Sequence, residues 1–352
     1  MKSPVELLQS IVRIPSVSGG EAACRDFLAG WLASRGVEVR VSGRNVWAEL
    51  QGARPAPAGR GLLLLTHIDV VPVGPGWTRQ PWDGALAGGK VFGRGANDAK
   101  SSVAAMAWAL AHVDRARLAG RLIAALVCDE ETGGQGIEAI AAELPPYDAC
   151  VVGEPTELDV CPGQRGLLRA TLEVTGRQCH ASRPWEGENA IEKAARDVLA
   201  VQGLDLGLPD PDLGAATLQC TVIQGGTKPN VLPGACTIEL DGRPTPGCDN
   251  QRMLALLKAA VKAEVVVKST RFLPVRTPKD AALVLDALAV SPGKRLRPFG
   301  GVSDLFHVRH VPGIVMGPGT SAASHAPDEW VAVEQVEAAA LAYTLLAERY
   351  LA

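Results

Sequence analysis

The sequence predicts an α/β fold in which a mixed sheet flanked by helices is interrupted by a smaller inserted module. Three observations predict it. Strand-like apolar runs alternate with helix-periodic segments from Val5 to Val152, the rhythm changes near Gln164 to the order βαββαβ, and the first pattern resumes in the last quarter of the chain. At 352 residues, two hydrophobic cores are expected where a shorter chain would have one. The expected division is residues 1–164 with 275–352, and an insertion at 165–274.

Each element has a local reason. Val5 to Val12 carries apolar residues at helical spacing, and a second helix from Glu21 to Arg35 ends at Gly36, a natural C-cap. Val37 to Val41 and Val46 to Leu50 read as a strand pair joined by Ser42-Gly43-Arg44. A Pro-, Ala- and Gly-rich surface loop from Arg54 precedes the buried strand Gly61 to Thr66, and His67 follows that strand directly. Gly74 to Gly89 is too polar and too broken for a regular element. An Ala-rich helix from about Lys100 to His112, a buried strand from Arg121 to Cys128, a short helix from Gly136 to Glu143 and a strand from Ala149 to Val152 come next.

Within the insertion, strands are expected at Gly166–Thr175, Thr217–Ile223, Cys236–Leu240 and Glu264–Thr270, with helices at Asn189–Val201 and Asn250–Lys262. Arg295–Phe299 and Gly313–Met316 then resume the first sheet, and Val333–Tyr350 is the closing helix.

Composition excludes several classes of function. A 47% hydrophobic fraction with only 4% aromatics describes an Ala-, Val- and Leu-filled core, and a net charge of −3 leaves no basic stripe for a nucleic acid. The N-terminus lacks the apolar core of a signal peptide, and the longest aliphatic run, Leu62 to Leu65, is far too short to span a bilayer, so neither membrane nor export is expected and the cytoplasm is. The eight cysteines show no CxxC spacing and read as reduced packing residues, Cys128 among them.

Metal-preferring side chains follow the strand-like runs. His67 and Asp69 stand two apart at a strand end, so both face one side and Asp69 can accept the second ring N–H of His67; a surface histidine beside a solvated acid is the competing reading. Asp98 stands before a helix, where a carboxylate either caps the first N–H groups or, with two free oxygens, bridges two cations. Glu130 and Glu131 are adjacent acids after an apolar strand, costly unless cations or protons offset their repulsion, although solvated loop pairs are common. Glu154 follows another strand and alternatively stabilises a helix start, and His325 lies in a loop beyond the strand Gly313–Met316. His112, His307 and His310 read as structural, the last two without suitable carboxylate partners.

In this order, Thr66-His67-Ile68-Asp69-Val70-Val71-Pro72, Gly93 to Lys100, Asp129 to Gly134, Gly153-Glu154-Pro155-Thr156 and Ser324-His325-Ala326-Pro327-Asp328-Glu329 resemble the dinuclear zinc amidohydrolases and exopeptidases. That family includes acetylornithine deacetylase, succinyl-diaminopimelate desuccinylase, aminoacylase and glutamate carboxypeptidase, and the match covers nearly the whole chain. The resemblance implies a zinc-exopeptidase-like catalytic domain and a lid and dimerisation domain in the insertion. It implies two divalent metal ions, zinc with cobalt as the alternative, one on His67, Asp98 and Glu154 and the other on Asp98, Glu131 and His325, with Glu130 as base and Asp69 assisting. It also implies that His180 reaches the partner subunit's site to stabilise an oxyanion, and that Asn230, Arg243 and Gly301 contact substrate, Arg243 through a bidentate grip on an α-carboxylate. Ala99-Lys100-Ser101 departs from the bulky residue, Lys and Gly that often follow this aspartate in the family.

The expected reaction is hydrolysis of an N-acyl amino acid by a homodimer, with N-acetylornithine or a related N-acetyl amino acid as substrate and a place in arginine biosynthesis. A desuccinylase, a lysine-biosynthesis deacylase or a dipeptidase would share the same chemistry. A non-catalytic small-molecule binder on this scaffold could dispense with Glu130 or a ligand, and the chain retains all of them.

Overall fold

A computed structural model describes all 352 residues, Met1–Ala352, as a mixed α/β protein of two compact units. The first comprises 1–163, 276–299 and 303–352; the second comprises 164–275 together with the short segment 300–302.

The first unit is organised by a six-stranded mixed sheet in the order Glu38–Ser42, Asn45–Gln51, Arg121–Val127, Gly61–His67, Ala149–Val152, Gly313–Val315. The first two neighbouring pairs are antiparallel and the other three parallel. A strand buried on both faces reads as an unbroken apolar run because neither face can tolerate a polar group. Gly61–His67 is such a strand, buried along its whole length. Leu62 and Leu64 join the main core with Leu122, Ala124 and Ala149, while Leu63 and Leu65 are buried on the opposite face. Helix Lys100–His112 packs against Pro4–Val12 and Val333–Tyr350, and Ala282–Val290 packs against the last of these.

Chain order decides where this sheet opens. From Gly61–His67 the chain passes through a helix to the strand on one side, Arg121–Val127, and then to the strand on the other side, Ala149–Val152. The loops leaving these three parallel strands diverge at one end, the place where open α/β sheets bind ligands.

The second unit is an antiparallel four-stranded sheet in the order Thr217–Gly225, Ala235–Arg243, Leu168–Thr175, Glu264–Ser269. Strict alternation of buried and exposed residues along Leu168–Thr175 leaves one face for a core. Helices Ala190–Gln202 and Asn250–Ala260 contribute Ala190, Ala194, Met253 and Leu257 to it, and Asn189 and Asp249 cap them through their side chains.

Two sequence expectations are corrected. Arg295–Phe299 is not a strand: Leu296 makes an isolated bridge to Val160 and Phe299 a separate one, its N–H donating to Gly163 O, and Arg295 and Arg297 both direct Nε at the buried Asp159. Pairing with a buried carboxylate takes the alternate side chains that a strand would have used. The 74–89 stretch is not wholly irregular, because Leu86–Ala87 pairs with Lys90–Phe92, which pairs with Trp330–Ala332. That pairing partner lies near the C-terminus, beyond the reach of a local pattern. All eight cysteines are free thiols, and no helix is long and apolar enough to cross a membrane.

Candidate metal and catalytic centre

His67 closes the central strand, Asp98 ends the loop that leads into helix Lys100–His112, Glu130 and Glu131 begin the turn after Arg121–Val127, and Glu154 follows Ala149–Val152. His325 arrives from the loop before Trp330–Ala332. The structure brings these six together. His67 Nε2 lies 3.4 Å from Asp98 Oδ1 and 3.8 Å from Glu154 Oε1, and His325 Nε2 lies 3.6 Å from Asp98 Oδ2 and 2.9 Å from Glu131 Oε1. The two oxygens of Asp98 thus face different imidazoles.

The local backbone explains the aim of each group. His67 Nδ1 donates to the main-chain oxygen of Asp69 at 3.0 Å, which places the ring proton on Nδ1 and leaves the Nε2 lone pair for the pocket. The Asp69 carboxylate is also near that nitrogen, at 3.4 Å. Its main hydrogen bonds lie elsewhere: Oδ1 accepts from Glu130 N at 3.1 Å, and Oδ2 from Glu131 N at 3.2 Å and Ser18 Oγ at 2.8 Å. Asp69 therefore holds the Glu130–Glu131 turn as well as the histidine. Asp98 does not cap its helix, and no helix starts at Glu154, so both carboxylates are left for the pocket.

The electrostatics favour a cation. Asp69, Asp98, Glu130, Glu131 and Glu154 surround only two imidazoles. Burial alone would lower the pKa of His67, yet Asp69, Asp98, Glu154 and Glu130 hold it well above the ordinary value. The field that stabilises an imidazolium would equally stabilise a metal ion. Burial pushes Glu130 and Glu154 well above the ordinary carboxylate range against the pull of His67, with like charges adding to the rise. For His325, the hydrogen bond to Glu131 is the main cause of an upward shift.

Two donor sets have all their ligand atoms within 4.8 Å of one another: His67, Glu130 and Glu154, and His67, Asp98 and Glu131. Buried Nε2 of His67 and Oε1 of Glu154 have no hydrogen-bond partner, an expensive condition for polar atoms unless something else fills the space between them. Imidazole nitrogen with several carboxylate oxygens is a donor set that zinc, cobalt and manganese all accept, so the residues fit a pair of divalent metal ions. A third grouping, Glu21, Cys128 and Asp129, already has its cation: Arg44 pairs with both acids.

The remaining expected site residues lie in the second unit. His180 is exposed on the short strand Cys179–His180, with Nδ1 2.7 Å from Ser182 Oγ, and the main-chain oxygen of the exposed Asn230 accepts from Ala181 N beside it. Arg243 ends its strand with Nε and Nη2 on the two oxygens of Asp241, so a substrate carboxylate would have to displace Asp241 or use the remaining nitrogen. Gly301 falls in the 300–302 segment.

Sequence reasoning missed several supporting groups. Ser18 and Arg44 carry no local signal, and Glu329 stood in a quoted motif without a role. His307, expected to lack a suitable carboxylate partner, has its Nδ1 3.4 Å from Glu138 Oε1, which the short helix Gln135–Ile140 brings over. His112 stacks on Trp108 at the end of its helix.

Known proteins resemble this chain over most of its length. The family model described as peptidase family M20/M25/M40 matches residues 63–349. Succinyl-diaminopimelate desuccinylase of Caulobacter vibrioides is 31% identical over 380 residues, covering 99% of this chain and 96% of the relative. Acetylornithine deacetylase of Edwardsiella ictaluri is 29% identical over 364 residues, covering 95% and 94%. Among solved structures, the YXEP protein of Bacillus subtilis, described as a dinuclear metal binding peptidase, superposes with a TM-score of 0.72 at 16% identity, covering 99% of this chain and 97% of the other.

Proposed function

Because the chain belongs to peptidase family M20/M25/M40, whose members hydrolyse amide bonds, we propose that its pocket holds two divalent metal ions and cleaves the amide of an N-acyl amino acid. The observation that carries this reading is the buried, unpartnered pair His67 Nε2 and Glu154 Oε1 inside a ring of carboxylates. His67, Asp98 and Glu154 would hold one ion and Asp98, Glu131 and His325 the other, zinc first and cobalt second. When bound, the ions would polarise the scissile carbonyl and make a water in the pocket more acidic.

The chain's own residues would do the rest. Glu130 takes a proton from the attacking water and passes it to the leaving nitrogen as the C–N bond breaks, a task suited to a carboxylate held well above its ordinary range by burial. Asp69 fixes the turn that carries Glu130, through the two main-chain N–H groups. His180 would stabilise the oxyanion in the partner subunit's site, and Asn230, Arg243 and Gly301 would bind the substrate.

A homodimer through the second unit is part of this proposal. Strand Thr217–Gly225 lies at a sheet edge and exposes Val222 and Ile223, and Leu199 on helix Ala190–Gln202 is 66% exposed. An exposed apolar edge invites pairing with a second copy. Ile223→Glu should sediment as a monomer where the parent is a dimer, and should lose activity because His180 no longer reaches a neighbour. A monomeric, active parent would sink both statements.

N-acetylornithine or a related N-acetyl amino acid is the proposed substrate. N-succinyl-diaminopimelate is the second reading, favoured by the name of the 31% identical relative. With zinc or cobalt added, amine release from a panel of N-acetyl amino acids, the N-succinyl compound and dipeptides should be fastest for the N-acetyl group. Release from the N-succinyl compound alone moves the assignment to the second reading, and bound ligand without release from any of them would refute hydrolysis.

A further inference from the structure

Glu329 is a buried carboxylate, 1% exposed, whose hydrogen bonds go to the loop that carries Asp98. Oε2 accepts from Arg94 Nη1 at 2.6 Å and Gly95 N at 3.1 Å; Oε1 accepts from Asn97 N at 2.9 Å and Asp98 N at 3.0 Å. Four donors therefore converge on one side chain, and three of them are consecutive or near-consecutive main-chain N–H groups. Glu329 itself ends the loop that carries His325. The latch is completed by Arg94 Nη2, which donates to the main-chain oxygen of His325 at 3.4 Å, and by Asn97, whose Nδ2 donates to Thr320 O and Ser324 Oγ.

Two groups that face each other at 3.6 Å, Asp98 Oδ2 and His325 Nε2, thus stand on loops tied together by one carboxylate. His325 has a positive φ of 62°, and Asp328 one of 51°, conformations that side chains other than glycine adopt only where the surroundings hold them. A carboxylate accepts from all four donors at once. A carboxamide of the same shape has one oxygen and presents its NH2 to N–H groups that need an acceptor, so its cost falls on the loop geometry.

Resting on the dinuclear metallohydrolase reading, we propose that Glu329, with Arg94, is a positioning residue for the metal ion held by Asp98, Glu131 and His325, setting the separation of the two loops that supply it. The ion on His67, Asp98 and Glu154 shares Asp98 but draws its other two donors from strand ends that Glu329 does not touch, so the larger effect falls on the ion that also needs His325.

The test is a titration of the metal-free full-length protein with cobalt alone, followed by its visible spectrum and by metal content after dialysis. The parent should take up two ions. Glu329→Gln should weaken one about 10–100-fold, the range seen when groups supporting a metal ligand are removed, and the other, which shares only Asp98 with the tied loops, by clearly less. Arg94→Lys, which retains the charge but not the second arm to His325, should show the same selective loss in smaller degree, and it decides the matter if Glu329→Gln does not fold. Parental affinity for both ions in a folded variant, or equal weakening of both, overturns the proposal while leaving the metal centre intact. A parent that binds no cobalt overturns the underlying reading instead.

Discussion

Glu130→Gln should retain two metal ions per chain and lose about 10²–10⁴-fold in kcat, the usual contribution of a positioned general base. The substitution preserves the size of the side chain and its place in the turn, because Asp69 grips that turn through the main-chain N–H of residues 130 and 131. What it removes is the ability to accept a proton. Burial holds this carboxylate well above its ordinary range, which would suit a group that accepts a proton and releases it to a leaving amine. Metal content by elemental analysis and turnover on the best substrate of the panel check the two halves separately. Since an oxygen of Glu130 lies within 4.8 Å of ligand atoms on His67 and Glu154, the measurement also asks whether Glu130 is itself a ligand. A fall in metal content parallel to the fall in rate would make it one, and a metal-loaded variant with parental turnover would end its role as base.

Asp98→Ala should be the most damaging change to metal binding. Its two oxygens face different imidazoles, Oδ1 towards His67 and Oδ2 towards His325, so a single truncation removes a donor from both proposed ions. With the cations held more weakly, less positive charge offsets the mutual repulsion of Glu131 and Glu154. Both ions should weaken by more than the 10–100-fold typical of an outlying support residue, and activity should disappear unless metal is added in large excess. Equilibrium dialysis with zinc gives the stoichiometry, and near-UV circular dichroism reports the fold. If the variant keeps two tightly held ions, Asp98 is not shared and the centre must be rebuilt around Glu131 and Glu154.

Much of the architecture could be read in advance because its elements have short-range causes. The unbroken run Leu62-Leu63-Leu64-Leu65 announces a strand covered on both faces, and the buried–exposed alternation of Leu168–Thr175 announces one covered on a single face. Helix Lys100–His112 follows from its Ala-rich pattern. Where the cause was distant, the reading failed. Arg295 and Arg297 look like strand residues until Asp159 draws them inward, and Lys90–Phe92 becomes a strand only by pairing with Trp330–Ala332.

The candidate site divides in the same way. By itself the sequence determined which donor types stand at strand ends, because a strand must be followed by a turn, and the polar residues of that turn are visible as a break in an apolar run. His67, Glu130, Glu131 and Glu154 all stand at such breaks. Only the tertiary structure decided that Asp98 faces two imidazoles, that His67 Nε2 and Glu154 Oε1 are left without partners, and that Glu329 gathers the N–H groups of a loop far away in the chain. The physical reason is that a hydrogen bond or a shared ligand is satisfied within a few tenths of an ångström, while local pattern fixes only the face and the end of an element from which a side chain departs.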